Sequence, residues 1–331
     1  MKTLFAVHPW MLVETRLHRD DMRLSESLTS IGNAHMGIRG SFEEAYSGDC
    51  HRGTYLAGVW HPERARTDWR KVGYPPYYGR MPGAPGLIEI GVAVDGEDVD
   101  LYANEVASFS RVLDMEHGLL SRRATVRLAR GRVSIETTRF VSITRKELLA
   151  IRYAVTPAFD AEVVLTPALD ARARGGACGE TVWEAAGQGE ADGADWLMVR
   201  TRENPFGAPR FTVTAAMRVA GGTHYSEPGR VQRTIRHRLR AGETATLCKY
   251  VCVDTSRDHD DDGLLREHVL WAARDAERAG FERLEAEQAQ AWRERWNHMD
   301  VVIEGDDSAQ QGIRFNLFEL LCTYDGKDPR L

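Results

Sequence analysis

Hydrophobic residues alternate with polar or small residues over much of the chain. Isoleucine and valine alternate with Glu, Gly and Ala over residues 88–94, and Asp95 and Gly96 follow directly. A period of two predicts a half-buried β-strand, and an Asp-Gly pair supplies the positive φ angles of a two-residue hairpin turn. The same alternation recurs in residues 133–135, 149–155, 211–219 and 247–253. Many antiparallel strands joined by Gly and Pro turns predict a sandwich or barrel.

The pattern changes after Asp258. From Leu264 to about His298 the chain has no proline and a single glycine, Gly280, and its apolar residues follow helical spacing. This spacing predicts one long helix or two shorter ones. Strands first and helices afterwards indicate two domains in series rather than an alternating parallel sheet.

The last part of the chain predicts another helix. A strand-like stretch at residues 301–303 comes first, and then Asp307 or Ser308 can cap a helix with Ile313, Leu317 and Leu321 at helical spacing. Because Phe315 and Phe318 are apolar too, we expect this helix to be buried on several sides.

Composition and charge describe an ordinary folded protein. The 331 residues allow about two domains, and 43% hydrophobic and 28% charged residues are typical of globular chains. The 43 Lys and Arg residues are scattered and are outnumbered by 49 Asp and Glu residues, which argues against nucleic acid as a partner.

Cysteines and apolar runs indicate the compartment. Five cysteines without a C-x-x-C pair indicate neither a disulfide framework nor a zinc knuckle, so we expect reduced thiols in the cytoplasm. Cys248 and Cys252 fall on one face of a predicted strand, as expected for core thiols. The N-terminal apolar run is too short for a signal peptide, and no run is long enough to cross a membrane.

Known motifs for metal and phosphate binding are incomplete. Asp258, Asp260, Asp262 and Gly263 imitate the start of an EF-hand loop, but its twelfth position is Val269 instead of Glu, so we expect no calcium site. A glycine-rich stretch lacks the Gly-Lys-Ser/Thr of a phosphate-binding loop and is expected to form turns between strands; its glycines are Gly32, Gly37 and Gly40. The signatures of serine hydrolases, zincins and deaminases are absent from the sequence.

Two groups of residues suggest carbohydrate chemistry. Glu43 and Glu44 are adjacent carboxylates, which on a strand would point to opposite faces, so we expect a solvated or loop charge pair and no acid and base pair. A loop stiffened by Pro and Gly carries four aromatic residues that suit the C–H face and hydroxyl rim of a sugar. They are Trp69, Tyr74, Tyr77 and Tyr78, and the alternative is that this loop packs its rings on the sandwich.

Several long motifs resemble a known family. Residues 26–33, 36–44, 53–60 and 312–318 resemble the N-terminal half of glycoside hydrolase family 65. Residues 73–79 and 204–211 resemble the branch of that family that phosphorolyses maltose. These motifs are collinear and cover essentially the whole chain.

The resemblance implies a fold and a domain division. It implies a mainly β structure, an antiparallel β-supersandwich of the galactose mutarotase-like kind, over residues 1–262. A helical linker over residues 263–305 and the start of an (α/α)₆ catalytic barrel over residues 306–331 follow. It also implies a homodimer.

The resemblance further implies an inverting phosphorolysis of an α-linked glucose disaccharide. Inorganic phosphate is the co-substrate, no other cofactor is expected, and one Glu protonates the departing oxygen. The catalytic and phosphate-binding residues of the family lie beyond the position of Leu331, so no catalytic residue is assigned and the chain alone is expected to be inactive. Kojibiose, nigerose or trehalose is an alternative substrate, and a free-standing sandwich for carbohydrate binding or dimerisation is an alternative function.

Overall fold

A computed structural model of the chain describes residues 4–65, 73–74, 76–172, 182–324 and 326. Within these residues the fold is mainly β, with nineteen strands and four α-helices. The alternating segments of the sequence form long antiparallel strands, because a period of two buries every second side chain on one face. The prediction of a mainly β chain with helices at its end is confirmed.

The largest sheet has nine antiparallel strands. In spatial order they are β1 (Met11–Glu14), β9 (Glu105–Asp114), β10 (Leu119–Leu128), β11 (Gly131–Val141), β12 (Leu148–Pro157), β19 (Ala245–Thr255), β16 (Thr212–Val219), β15 (Ala194–Thr201) and β14 (Trp183–Ala191). The last of the sequence-predicted strands, β19, lies at the centre of this order. Its neighbours are β12 and β16, so residues near position 254 lie beside strands from the middle of the sequence.

A second sheet of five strands lies against the first. Its order is β17 (Thr223–Glu227), β18 (Arg230–Leu239), β13 (Ala161–Asp170), β7 (Ile90–Val94) and β8 (Glu97–Asp98). The two sheets share one hydrophobic core, to which Val92 and Leu165 contribute from the smaller sheet and Ile151 and Val251 from the larger. Their apolar faces therefore pack against each other.

Two small sheets complete the β structure. One contains β2 (Ile31–Gly32), β3 (Met36–Ile38) and β4 (Thr54–Leu56), and the other pairs β5 (His61–Arg64) with β6 (Tyr77–Arg80). Gly32 and Gly37 lie inside β2 and β3, so the expectation that they form turns between strands is wrong. Gly40 is needed for a close approach, since a Cβ there would lie 1.9 Å from Oγ1 of Thr29.

The predicted hairpin is confirmed. Asp95 and Gly96 join β7 to β8 with φ angles of 50° and 83°. Positive φ at both central residues gives the turn a twist that matches the flanking strands.

The helices are α1 (Met22–Leu28), α2 (Asp262–Ala279), α3 (Phe281–Met299) and α4 (Asp307–Thr323), with a short 3₁₀ helix at Arg19–Asp21. The predicted helical region is thus two helices, separated by Gly280 with its φ of 80°. Two details of the sequence prediction are wrong. Residues 301–303 form no strand, and α4 is capped by Asp306, whose carboxylate accepts the Ala309 N–H at 2.9 Å.

The first long helix covers the outer face of the nine-stranded sheet. Val269 and Ala273 of α2 pack with Phe140, Tyr250 and Cys252 in a second apolar cluster. Cys252 is therefore a core thiol, as predicted, and its burial raises the pKa of the thiol well above the usual value. The four described cysteines, which are Cys50, Cys248, Cys252 and Cys322, are free thiols.

The last helix packs on the one before it. Phe318 of α4 stacks on Trp292 of α3 with 4.7 Å between ring centroids, and both side chains are buried. Leu320 on the other side of α4 is 65% exposed. None of the described helices has the length and apolar character needed to span a membrane. The domain boundaries after residues 262 and 305 stay a prediction.

Candidate functional site

The hairpin of β5 and β6 carries an aromatic surface. Trp60 precedes β5 and stacks against Tyr77 of β6, with 6.4 Å between ring centroids and 10° between ring planes. Gly79 makes this arrangement possible, because a Cβ at that position would lie 3.3 Å from Cε3 of Trp60. The two rings thus form a platform on one side of the hairpin.

A distant loop adds two more rings to this platform. Tyr77 lies 4.8 Å from Phe206, and Trp60 lies 6.0 Å from Phe211, between ring centroids. The loop is shaped by Asn204, whose Oδ1 accepts the N–H groups of Phe206 at 3.2 Å and Ala208 at 3.0 Å. We call Trp60, Tyr77, Phe206 and Phe211 the aromatic cluster.

The aromatic residues predicted from the sequence have different environments. Tyr77 is half-buried in the aromatic cluster, whereas Tyr74 and Tyr78 are exposed, at 66% and 47%. Trp69 lies outside the described residues. Sequence reasoning missed Trp60 and Phe206 as members of the group. Both stand in motifs that carried the family resemblance, and that was the available signal.

The aromatic cluster lies beside the start of the helical region. The Arg257 guanidinium is 5.9 Å from the centroid of Phe211, and its Nη1 donates to the carbonyl of Gly58 at 3.1 Å. Ala57, which precedes Gly58, donates its N–H to the carbonyl of His35 at 2.9 Å. Ala34 donates its N–H to the carbonyl of Cys322, in the last turn of α4, at 2.7 Å. The aromatic cluster and the end of α4 therefore belong to one edge of the molecule.

Glu43 and Glu44 lie in a loop, which is one of the two expected environments, but they are not solvated. Both side chains are buried, and both accept from Nη2 of Arg122, at 3.0 Å and 2.7 Å. They stand on a bend instead of a strand, so both carboxylates can turn inward. Tyr153 also donates its hydroxyl to Glu44 at 2.9 Å.

Electrostatics keep this buried group ionised. Burial raises the pKa of Glu43, but the guanidiniums of Arg139 and Arg122 lower it more, so the pKa lies below its ordinary value. For Arg122, burial lowers the pKa and the carboxylates of Glu44 and Glu43 raise it, with a net increase. A carboxylate held this way is a poor general acid near neutral pH, since it has no proton to donate.

A cavity of about 660 Å³ opens next to these carboxylates. Its wall includes Glu43, Glu44, Glu89, Asp170 and Arg230. Arg230 bonds to both Asp170 and Glu89 at 2.5 Å, so these two carboxylates of the wall share one guanidinium. This volume would accommodate a small polar molecule.

Comparison with known proteins gives a consistent picture. The family model for the Glycosyl hydrolase family 65, N-terminal domain, matches residues 12–295. Maltose phosphorylase from Bacillus subtilis (strain 168) is 40% identical over 99% of this chain and 44% of its own length. Alpha,alpha-trehalose phosphorylase from Thermoanaerobacter brockii is 28% identical over 98% of this chain and 44% of its own length.

A solved structure extends the comparison to the fold. A putative kojibiose phosphorylase from the human microbiome superimposes with a TM-score of 0.90 and 23% identity, over 98% of this chain and 43% of that one. The chain thus has the fold of the corresponding part of that protein. It spans less than half the length of these relatives.

Proposed function

The chain belongs to glycosyl hydrolase family 65, and from this membership we propose that it serves an inverting phosphorylase that converts maltose and phosphate into glucose 1-phosphate and glucose. One observation carries the choice of maltose. The identity with maltose phosphorylase is 40%, against 28% with the trehalose phosphorylase and 25% with a kojibiose phosphorylase from Halothermothrix orenii.

In the proposed reaction, phosphate attacks the anomeric carbon while a carboxylic acid protonates the departing oxygen. We propose that this chemistry takes place in a part of the enzyme outside these 331 residues. The buried carboxylate of Glu43 supports this view, because Arg139 and Arg122 lower its pKa and so keep it ionised. General acid catalysis requires a protonated group within hydrogen-bond reach of the leaving oxygen.

The proposed role of this chain is to support the substrate site with the aromatic cluster. Trp60 and Tyr77 offer flat apolar faces for the C–H side of a glucose ring, and the Tyr77 hydroxyl suits the hydroxyl rim. The cluster also lies on the same edge as the end of α4. A cytoplasmic homodimer is part of the same proposal, and light scattering of the purified enzyme tests the dimer.

A chimera tests the proposal directly. This chain would replace the matching part of the Bacillus subtilis maltose phosphorylase, and glucose 1-phosphate release would be measured with maltose, trehalose, kojibiose and nigerose. We expect phosphorolysis of maltose by the chimera and none by the 331-residue chain alone. Release of glucose 1-phosphate by the purified chain, abolished by a substitution within it, would contradict the proposed division of labour.

The same chimera distinguishes the two alternatives, which are another disaccharide substrate and a free-standing carbohydrate-binding module. Preference of the chimera for another disaccharide would favour that substrate only if the parent enzyme keeps its preference for maltose in the same assay. An inactive but folded chimera, together with binding of maltose by the chain alone, would favour a free-standing carbohydrate-binding module.

A further inference from the structure

A buried aspartate at the end of β19 is surrounded by histidines. Asp254 is fully buried, and Nε2 of His259 and Nε2 of His268 lie 3.2 Å and 3.5 Å from its Oδ2. The two imidazole rings are 4.7 Å apart between centroids. His35 approaches the other carboxylate oxygen at 3.7 Å.

The fold brings these residues together over a short stretch of chain. β19 ends at Thr255, and α2 begins soon afterwards because Asp261 caps it by accepting the Leu264 N–H at 2.9 Å. His259 lies in this short connection. His268 lies in the second turn of α2, close to the end of β19. The Thr255 N–H donates to Oδ1 of Asp254 at 2.8 Å and so fixes the carboxylate. Such a bond orients the carboxylate, so that its Oδ2 lies toward the two imidazoles.

We propose that Asp254, His259 and His268 form a binding site for a divalent transition-metal cation, of which Zn²⁺ fits best. The three ligand atoms lie within 4.8 Å of one another. Bonds of about 2.0–2.1 Å in a tetrahedral site place neighbouring ligand atoms about 3.3 Å apart. The two distances to Oδ2 of Asp254 lie on either side of that value.

Unsatisfied chemistry at the cluster supports a bound cation. Nε2 of His268 is buried and has no hydrogen-bond partner among the described residues. A buried nitrogen without a partner is unfavourable, and coordination to a metal would satisfy it. Lys146 is the nearby amine, and its Nζ is bonded to Asp258 at 2.6 Å rather than to Asp254.

The ligand set selects the metal. Two imidazole nitrogens and one carboxylate suit Zn²⁺ and related ions, whereas Mg²⁺ and Ca²⁺ prefer oxygen ligands. Three protein ligands leave a fourth position for water or another group. A metal here would tie the end of β19 to α2, beside the edge that carries the aromatic cluster.

Calorimetric titration of the untagged, chelator-treated 331-residue chain with ZnCl₂ tests the proposal. We expect one equivalent to bind, with a rise in Tm, and no comparable binding of MgCl₂. His259→Gln and His268→Gln should each weaken zinc binding at least tenfold. His298→Gln is the matched control, because His298 is exposed and bonds to the carbonyl of Glu294 in another helix.

Three outcomes would overturn the site: no stoichiometric binding by the metal-free chain, equal binding by the two histidine variants, or equal weakening by the control. If a variant fails to fold, as judged by circular dichroism, Co²⁺ bound to the unsubstituted chain decides. Visible d–d bands of a tetrahedral nitrogen and oxygen site support the proposal. Thiolate charge-transfer bands or the absence of d–d bands would overturn it.

Discussion

Two regions of the molecule treat their polar groups in opposite ways. Around Glu43, buried carboxylates are paired with the guanidiniums of Arg122 and Arg139. The Arg139 guanidinium also donates to the backbone carbonyls of residues 39 and 41. In the other region, Asp254 faces imidazoles, and three of the four rings of the nearby aromatic cluster are partly exposed. Arginine stays charged and presents several donors in a fixed fork, so it closes a buried site. Imidazoles and partly exposed rings leave a site able to bind something else.

The two regions differ in their expected roles. We expect the network around Glu43 to stabilise the fold, and we propose that the edge with the aromatic cluster and Asp254 binds ligands. Glu43 and Glu44 are adjacent carboxylates in the sequence, but in the structure they belong to a buried ion-pair network. The edge with the aromatic cluster and Asp254 pairs its buried carboxylate with imidazoles instead of guanidiniums. Replacing residues in the two regions should therefore change different measurements.

The largest effect is expected from Arg139→Met. This change removes one cation from the buried carboxylate of Glu43, and breaking a buried pair from one side costs about 3–5 kcal/mol of unfolding free energy. Urea denaturation of the 331-residue chain measures it. Arg123→Met is the control on a neighbouring strand, because the Arg123 and Glu136 side chains form an exposed pair at 3.3 Å. Equal losses in both variants would show that the buried network has no special role.

Lys249 extends the comparison of buried polar groups, because it is a buried lysine whose partners are backbone carbonyls. Its Nζ donates to the carbonyls of Glu89 at 2.9 Å and Ala168 at 2.8 Å. Burial lowers the pKa of Lys249 from the usual 10.5 to about 7. Between these two pH values the unfolded chain holds a proton that the folded chain has released, so stability should rise with pH across that window.

The measurement is the difference in unfolding free energy between pH 7 and pH 10 for the unsubstituted chain and for Lys249→Met. We expect the substitution to remove a rise of about 3.5 kcal/mol. The variant also leaves two carbonyls without their donor, so its stability at a single pH is no test. An unchanged pH dependence in Lys249→Met would assign the rise to other groups.

The smallest effect is expected at the aromatic cluster and concerns activity. In the chimera, Tyr77→Ala should lower kcat/KM for maltose about tenfold, equivalent to about 1.4 kcal/mol of transition-state stabilisation. Tyr74→Ala is the control, because Tyr74 is 66% exposed and stands apart from the cluster. Unchanged kinetics with a lowered Tm for Tyr77→Ala would mean that the cluster only packs the hairpin.

Local patterns in the sequence determined part of the secondary structure. Alternation predicted β7, β11, β12, β16 and β19, and the Asp95-Gly96 pair predicted the hairpin turn, because strand period and turn geometry depend on neighbouring residues. Helical spacing predicted the region of α2 and α3. The long collinear motifs also carried the family to which the chain belongs.

The tertiary structure alone decided how distant segments meet. No local pattern indicates that Tyr77 contacts Phe206, and the motif at Asp258 does not indicate that Asp254 is buried beside histidines. The sequence also left a solvated or a loop charge pair open for Glu43 and Glu44, because no local pattern shows that Arg122 and Arg139 bond to them from distant strands. Strand order sets such contacts, and strand order follows from packing two apolar sheet faces together over the whole chain, which no local window of sequence contains.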